Sequence, residues 1–524
     1  MRVPTSQQMV VLDRRVAEEY GLPTLLLREA AGRRVADAAC RLVRGATPHA
    51  VVVAGKGNNG GDGLVAARVL AALGWDVRVL LLARDVEVAG DAAVNLQAAR
   101  HAGVEVTNLD STGVRGLRPA LAAADLIIDA LFGTGFRGPA VGLAARAIEA
   151  MNASGRPVLA IDIPSGVHGD TGAVEGPAVR ARATVTMGLP KLGLVLLPGA
   201  EYAGTVWVAS VGHPRRLLDS PEITTRLVTR AMVDAAVPPR PLDAHKGQFG
   251  RVLVIAGAVG YTGAPVLAAL GALRGGAGLV RLAVPASIYP IVAASVIEGM
   301  PVPLADEEGA LAASAADQVL ALAGEADVIA CGPGLSRLHG PRQVVRRLLL
   351  DSRRPLVLDA DALNCLADEA DVLGQARVPV VLTPHPGELA RLLGTDAGAI
   401  QRGRLDAARE AAARFHAVVV LKGARTLVAS PEGEVFVVPT GNPAMATGGM
   451  GDVLTGAVAA FVGQGLAPLA AAWVAAYLHG LAGDLAAASR PGGLLARDVA
   501  AALPQALGAV RRGEVEEAVR GEPW

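Results

Sequence analysis

Short apolar runs alternate with alanine-rich segments of helical length through most of the chain. The runs are rich in valine, isoleucine and leucine, which is typical of strands that are buried on both faces. Buried strands that alternate with helices predict a parallel sheet covered by helices on both sides, an α/β fold. The predicted strands are His49–Ala54, Asp76–Leu82, Asp125–Leu131, Pro157–Ile161, Ala183–Met187 and Gly204–Val211, then Arg251–Ala256, Leu279–Val284, Asp327–Cys331, Leu356–Asp359, Val378–Leu382 and Val418–Leu421, with Glu434–Val438 as an added hairpin strand.

The alternation breaks between His213 and Lys246, where five prolines fall among many charged residues. Proline punctuates regular structure, so we place a domain junction in this stretch, near residue 225. A chain of 524 residues is also longer than one ordinary core. We therefore predict two domains, residues 1–220 and 225–515, with helices at the start of the first and long alanine-rich helices at the end of the second.

Composition narrows the classes of protein. The 49 basic and 49 acidic side chains balance, which argues against a nucleic-acid-binding surface. The three cysteines form no CxxC pair and fit a reducing compartment. The first residues lack the apolar stretch of a secretory signal, so we expect a cytoplasmic protein. The mean hydropathy is +0.40, but polar residues and a proline interrupt residues 457–488, so we expect helices packed in a core and no membrane span.

A glycine-rich turn follows the first predicted strand. Gly55, Gly57 and Gly60 fit the pattern G-x-G-x-x-G, in which backbone N–H groups approach a phosphate at a helix N-terminus. The alternative is a tight strand–helix turn that needs glycine only for packing. Three polar side chains in the same turn, Asn58, Asn59 and Asp62, favour a binding site. The acidic residue of an ordinary dinucleotide fold is missing after the second strand.

Two later strands of this half also lead into polar and glycine-rich loops. Asp129 precedes the loop 133–139, and Asp162 begins the segment 162–166. The carboxyl ends of parallel strands converge on one crevice, so oxygen atoms of Asn59, Asp129 and Ser165 are expected to meet there. Each aspartate taken alone could equally cap a helix.

These motifs resemble the NAD(P)H-hydrate epimerase family, and so do Gln8-Met9 and the segment 28–32. The resemblance covers residues 1–215 and implies a Rossmann-like three-layer α/β/α fold. It implies that Asp162 is catalytic and that a potassium ion is bound by Asn59, Asp129 and Ser165. It implies that the hydrated cofactor is bound by Asn58, Asn59, Gly60, Gly61, Asp62, Gly133, Thr134, Gly135, Phe136, Arg137, Gly138, Pro139 and Asp162.

A second glycine-rich turn, Gly441–Asp452, precedes an apolar helix in the C-terminal half. Consecutive glycine N–H groups at a helix N-terminus form an anion hole. An aspartate at its edge, Asp452, can take a proton from a hydroxyl that attacks a phosphate. The alternative is an aspartate that only caps the helix after a glycine turn.

This turn resembles the ribokinase-like superfamily, and the segments 246–247, 260–265, 331–335, 383–388 and 422–426 resemble its ADP- or ATP-dependent NAD(P)H-hydrate dehydratases. His385 stands where vitamin kinases of the superfamily carry asparagine, and Met450 departs from the usual Ser or Thr. The resemblance implies that Mg²⁺ acts with ADP or ATP and that Glu388 could orient it through water. It implies that Ala264, Gly334, His385 and Asp452 contact the hydrated cofactor and that Lys422, Gly423, Ala424, Arg425, Thr426 and Gly451 bind the nucleotide.

The expected function is repair of nicotinamide cofactors hydrated at C6, NADHX and NADPHX, which exist as R and S epimers. The first domain would interconvert the epimers, and the second would phosphorylate the C6 hydroxyl of S, with Asp452 as base and catalyst, before phosphate leaves. Three alternatives are a vitamin-type kinase, a non-catalytic nucleotide sensor and an NAD-dependent dehydrogenase. The preference for ADP or ATP and for NADHX or NADPHX stays open, and we expect a homo-oligomer.

Overall fold

The computed structural model describes residues 1–109, 114–489 and 492–522, which form two compact units. The first contains Met1–Thr225 together with Glu517–Trp524, and the second contains Arg226–Glu516. The C-terminal residues thus return to the first unit, although the sequence predicts that the chain ends in helices of the second. We refer to the two units as the first and second domains.

The first domain contains a parallel sheet of eight strands. Seven are β1 (His49–Ala54), β2 (Asp76–Leu81), β3 (Glu105–Asn108), β4 (Leu126–Ala130), β5 (Val158–Ile161), β6 (Ala183–Met187) and β7 (Thr205–Ala209), and the eighth is the C-terminal strand Val519–Gly521. Their order is C-terminal strand–β7–β6–β5–β4–β1–β2–β3. The central strands are buried, as their apolar sequences predict.

Helices cover both faces of this sheet. They are α1 (Ser6–Tyr20), α2 (Thr24–Leu42), α3 (Asn58–Ala72), α4 (Gly90–His101), α5 (Val114–Ala123), α6 (Gly142–Ala153), α7 (Leu192–Val195), α8 (Gly199–Tyr202) and α9 (Arg215–Leu218). Alternate residues of β1 enter different cores, since Val52 packs in a cluster with α2 and α3, and Val53 packs in one with α6. The result is a three-layer α/β/α domain.

The second domain contains a ten-stranded sheet and a two-stranded ribbon. The sheet strands are β8 (Thr225–Leu227), β9 (Arg251–Ile255), β10 (Leu279–Pro285), β11 (Met300–Leu304), β14 (Val328–Cys331), β15 (Leu356–Leu358), β16 (Val380–Leu382), β17 (Val418–Leu421), β18 (Leu427–Ala429) and β19 (Val435–Val437), and the ribbon is β12 (Asp306–Glu307) with β13 (Ala310–Leu311). The sheet order is β11–β10–β9–β14–β15–β16–β17–β18–β19–β8. Pairing is parallel from β11 to β17 and antiparallel in the hairpin of β17, β18 and β19.

The helices of this domain include several that are alanine-rich and apolar. They are α10 (Arg230–Ala236), α11 (Gly263–Arg274), α12 (Tyr289–Ser295), α13 (Ala316–Glu325), α14 (His339–Asp351), α15 (Asp361–Leu366), α16 (Pro386–Leu393), α17 (Ala397–Arg402), α18 (Arg404–Phe415), α19 (Met450–Gly463), α20 (Pro468–Ser489) and α21 (Ala496–Arg512). In the described part of the chain, α20 is the one helix long and apolar enough to cross a membrane, and most of it is buried inside this domain. Its packing agrees with the prediction of a core helix.

Candidate active sites

The carboxyl ends of the first sheet open into a cavity of about 830 Å³. Among its lining residues, the following were predicted from the sequence as ligands of the hydrated cofactor: Asn58, Asn59, Asp62, Gly133, Thr134, Gly135, Phe136, Arg137 and Asp162. Four further predicted residues, Gly60, Gly61, Gly138 and Pro139, are not among the lining residues. Lys191 and Glu87 also line the cavity, although neither was predicted from the sequence.

The glycines after β1 serve different purposes. A Cβ on Gly55 would stand 2.2 Å from the carbonyl oxygen of Leu131, and a Cβ on Gly60 would stand 1.9 Å from that of Gly55. Glycine at these two positions is therefore required by packing, which was the alternative interpretation of the motif. Gly57 differs, because a Cβ there would meet nothing within 4 Å and the residue lines the cavity.

Asp129 is fully buried at the end of β4. Its carboxylate accepts hydrogen bonds from the Ser165 hydroxyl (2.6 Å) and the Ser165 N–H (2.8 Å). The carbonyl oxygen of Phe132 accepts from Asn59 Nδ2 at 2.8 Å, and the N–H of Phe132 donates to Ser165 Oγ at 2.8 Å. The three residues predicted as potassium ligands thus share one network around Phe132. Burial raises the pKa of Asp129 to about 6, against the hydrogen bonds from Ser165.

Asp162 follows β5 with a positive φ of 66°, a conformation that few non-glycine residues adopt. Its Oδ1 accepts from Lys191 Nζ at 2.5 Å and from Thr186 Oγ1 at 3.1 Å. Lys191 is only 1% exposed and also donates to the carbonyl of Met187 at 2.9 Å. A buried lysine is rare unless it is paired, so this ion pair fixes Asp162 in the cavity. The sequence signal that could have found Lys191 is its place just after the buried strand β6.

Asp62 is another carboxylate that lines the cavity, and it lies in the first turns of α3. It is 2% exposed, its Oδ2 lies 3.3 Å from Arg28 Nη1, and its Oδ1 has no hydrogen-bond partner. Burial raises the pKa of Asp62 to about 7, opposed by Arg28 and reinforced by the charge of Asp162. Asp62 can therefore carry or release a proton near neutral pH.

In the second domain, Asp452 lies in the first turn of α19, behind the left-handed Gly449 (φ 88°). The neighbouring Lys422 does not pair with Asp452. Its Nζ instead donates to the buried Asp359 at 2.6 Å and lies 3.8 Å from Glu388 Oε2. Asp359 also accepts from Thr455 Oγ1 at 2.7 Å.

Burial and then the charge of Asp359 raise the pKa of Asp452 to about 7, although the positive charge of Lys422 opposes the shift. A carboxylate with a pKa near the working pH is suited to general-base catalysis. Asp359, which the sequence analysis treats only as a strand end, is therefore part of the electrostatics of the site.

The predicted nucleotide segment forms a tight loop directly after β17. Thr426 Oγ1 donates to the carbonyl of Gly423 at 2.9 Å, and Arg425 (φ 56°) donates to the carbonyl of Pro439 at 3.1 Å. A Cβ on Gly451 would stand 3.1 Å from Lys422 Nζ. This loop, with Ala424 within it, therefore meets the glycine turn of α19 at the end of the sheet.

His385 begins α16 as its N-cap. Its Nδ1 accepts from the N–H groups of Gly387 (3.0 Å) and Glu388 (3.2 Å), and its Nε2 lies 3.3 Å from Glu388 Oε1. Both ring nitrogens are thus engaged within the cap, which leaves no free lone pair for a general base. The side chain is 51% exposed and can still contact a ligand.

The other two predicted cofactor-binding residues adjoin each other. A Cβ on Gly334 would stand 2.9 Å from the Cβ of Ala264 and 2.8 Å from that of Tyr261. Glycine is required at position 334 by this contact and by its φ of 60°.

The fold and the two sites define a two-domain α/β enzyme with a separate polar site at the carboxyl end of each sheet. Two family models match the chain: one described as YjeF-related protein N-terminus over residues 25–193, and one described as NAD(P)H-hydrate dehydratase over residues 252–505. The bifunctional NAD(P)H-hydrate repair enzyme Nnr of Moorella thermoacetica is 46% identical, covering 97% of both chains. That of Thermofilum pendens is 42% identical, covering 98% of this chain and 97% of the relative.

A solved ADP/ATP-dependent NAD(P)H-hydrate dehydratase from Bacillus subtilis, co-crystallised with ATP and Mg²⁺, is 31% identical. It covers 54% of this chain and 98% of its own, with a TM-score of 0.47. The chain belongs to the family of bifunctional NAD(P)H-hydrate repair enzymes. The predicted fold class, a Rossmann-like α/β/α domain followed by a ribokinase-like α/β domain, is confirmed.

Proposed function

We propose that this chain repairs hydrated nicotinamide cofactors, with epimerisation of R and S NAD(P)HX in residues 1–220 and nucleotide-dependent dehydration of the S epimer in residues 225–515. The observation that carries the proposal is the similarity to bifunctional repair enzymes across both domains, 46% over 97% of each chain. Each domain also presents a carboxylate whose pKa is raised to about 7. The cytoplasmic location and the homo-oligomer stay predictions.

Epimerisation needs the C6 hydroxyl to leave and to return on the other face of the ring. Protonation of that hydroxyl releases water while the ring-nitrogen lone pair forms a C6=N bond. Water then adds to the opposite face and loses a proton. Asp62, which is buried and half-protonated near neutral pH, would supply the proton, and Asp162, held by Lys191, would accept one. The remaining predicted residues, from Asn58 to Gly61 and from Gly133 to Pro139, would position the cofactor.

The network of Asn59, Asp129 and Ser165 fits a potassium ion. Amide, carboxylate, hydroxyl and carbonyl oxygens are the ligands of hard cations. The carboxylate of the fully buried Asp129 accepts hydrogen bonds from Ser165 and Leu131, and none of these donors carries a positive charge. A bound cation would supply positive charge that orders the loop beside the cavity.

Dehydration needs a better leaving group than hydroxide. Asp452 would remove the proton of the C6 hydroxyl as its oxygen attacks the terminal phosphorus of ADP or ATP, which leaves AMP or ADP. The ring-nitrogen lone pair then expels phosphate, and loss of a C5 proton restores the C5=C6 bond. Lys422–Thr426 and Gly451 would hold the nucleotide, while Ala264, Gly334 and His385 would hold the cofactor. Mg²⁺, near Glu388, would neutralise charge on the phosphates.

The test is a single assay on the full chain with an equal mixture of the R and S epimers of NADHX, Mg²⁺, K⁺ and either ADP or ATP. NADH absorbance should recover completely, and the phosphate released should equal the NADH formed. Asp162→Ala should restore only the S half rapidly, because R is no longer converted. A phosphorylated cofactor that accumulates without NADH would favour the alternative of a small-molecule kinase, and the absence of NADH with either nucleotide would contradict the proposal.

A further inference from the structure

A cavity of about 670 Å³ opens in the second domain beside the proposed cofactor-binding residues. Three arginine side chains, Arg337, Arg342 and Arg391, form part of its wall. Tyr261 also lines it, and the Cβ of Tyr261 lies 2.8 Å from where a Cβ on Gly334 would stand. The cavity therefore continues from the place where we expect the hydrated cofactor.

The protein holds two of the three guanidinium groups. Arg391 Nε donates to Asn364 Oδ1 at 3.0 Å. Arg342 donates to the carbonyl of Arg337 at 3.1 Å and to Asp368 Oδ2 at 2.8 Å. These bonds use only some of the N–H groups on each guanidinium, so both retain donors for a ligand. Arginines fixed in this way lose less freedom when they bind an anion.

The wall is cationic overall. Asp361 is the one carboxylate among its described lining residues, against three arginines. Its two oxygens already accept from Ser336 N (3.0 Å) and Asn364 Nδ2 (3.1 Å). The planar fork of arginine matches the oxygens of a phosphate, so a phosphate group is the ligand class that this wall fits.

The position separates this cavity from the nucleotide segment. Arg337 and Arg342 follow β14, and Arg391 lies on α16 after β16, whereas Lys422–Thr426 follows β17. Neighbouring strands lie about 4.8 Å apart, so β14 lies roughly 14 Å from β17, while Arg391 follows the strand next to β17. A dinucleotide with its nicotinamide ring at Asp452 could extend into the cavity without entering the nucleotide segment.

We propose that Arg337, Arg342 and Arg391 bind a phosphate group of the hydrated dinucleotide, remote from its nicotinamide ring. The inference rests on the proposed dehydratase activity. Two phosphate sources exist in this substrate: the pyrophosphate, which NADHX and NADPHX share, and the ribose 2′-phosphate, which NADPHX alone carries. Either would use the same charge-assisted hydrogen bonds.

The experiment compares Arg337→Ala and Arg391→Ala with Arg346→Ala in the full chain. Arg346 is the matched control, since it is an exposed arginine of α14 that pairs with Glu369 at 3.3 Å and does not line this cavity. Dehydration of pure S-NADPHX and S-NADHX is measured at saturating nucleotide, and binding of NADPH and NADH is measured by calorimetry. Loss of a charge-assisted bond should raise KM by about 10- to 100-fold, with kcat nearly unchanged.

A selective rise in KM for S-NADPHX supports binding of the 2′-phosphate, and an equal rise for both substrates supports binding of the pyrophosphate. Values within twofold of wild type for both substrates and both reduced cofactors would overturn the inference. If the wild-type chain dehydrated neither substrate, the proposed function would fail. The calorimetric measurements would then test this inference by themselves. Weaker binding of NADPH or NADH to the two cavity variants than to Arg346→Ala would support it.

Discussion

In the first domain, Lys191 bonds the carboxylate that we place in catalysis, Asp162, whereas in the second domain Lys422 bonds Asp359 and leaves the proposed base unbonded. Each site nevertheless contains a carboxylate with a pKa of about 7, Asp62 in the first and Asp452 in the second. Burial is the leading cause at both. In both domains the carboxylate with a pKa near neutral is therefore the one that the lysine does not bond, Asp62 in the first and Asp452 in the second.

The largest effect that follows from this comparison is expected for Asp452→Asn. The change is nearly isosteric, so packing should survive. It removes the proton acceptor, and loss of a general base lowers the catalysed rate by about 10²–10⁴-fold. The rate constant is measured by single-turnover dehydration of S-NADHX at saturating nucleotide and Mg²⁺. The epimerisation rate is the control and should be unchanged. A rate within about threefold of wild type, far from a general-base loss, would remove Asp452 from the mechanism. His385 would not replace it, because its Nδ1 already accepts two N–H groups.

Removal of either lysine should destabilise its domain, but by different amounts. Lys422→Met leaves Asp359 buried at 1% exposure, and removal of one partner of a buried ion pair costs about 3–5 kcal/mol. Lys191→Met should cost less, because the Asp162 side chain is 17% exposed and can be hydrated. Hydrogen exchange read by mass spectrometry, peptide by peptide, reports the free energy of opening in each domain. An equal or larger loss for Lys191→Met would contradict this account of burial.

The raised pKa of Asp452 predicts a pH dependence. A general base acts only when it is ionised, and the pKa of Asp452 is about 7. The kcat/KM for dehydration should therefore be constant above pH 8 and fall by about tenfold per pH unit well below 7. The residual rate of Asp452→Asn should lose this limb, which separates Asp452 from titration of the substrate or nucleotide. A wild-type profile that stays flat down to pH 5 would refute the assignment.

The sequence predicts the central parallel strands of both sheets, but it misses the edge strands and the short buried strand β18. Strands such as Val418–Leu421 are apolar throughout because both faces are buried. The edge strands Glu105–Asn108 and Met300–Leu304 are partly exposed, and their polar residues or prolines give no such pattern. Val519–Gly521 reaches its sheet only because the chain returns to the first domain, which periodicity does not report.

At the two sites as well, some residues could be predicted from the sequence and others could not. Aspartates that follow buried strands could be predicted as site residues, because parallel strands bring their carboxyl ends together. Their partners could not, since Lys191 and Asp162 are 29 positions apart and Lys422 and Asp359 are 63 apart. Only the folded structure shows which lysine pairs with which aspartate, and therefore which carboxylates have a raised pKa.

The smallest effect is expected at the glycines after β1. Substitutions there should distinguish a glycine that packing requires, Gly55, from one that lines the cavity, Gly57. Gly55→Ala puts a Cβ 2.2 Å from the backbone oxygen of Leu131, which cannot move without shifting the strand, and overpacking of this kind costs about 1–3 kcal/mol. Gly57→Ala meets no atom within 4 Å and keeps a φ of −93°, so stability should change by less than about 0.5 kcal/mol. Because Gly57 lines the cavity, its new methyl group should instead raise the KM for epimerisation. Urea unfolding and epimerase kinetics on both variants test the pair, and a destabilised Gly57→Ala with normal KM would show that both glycines serve packing alone.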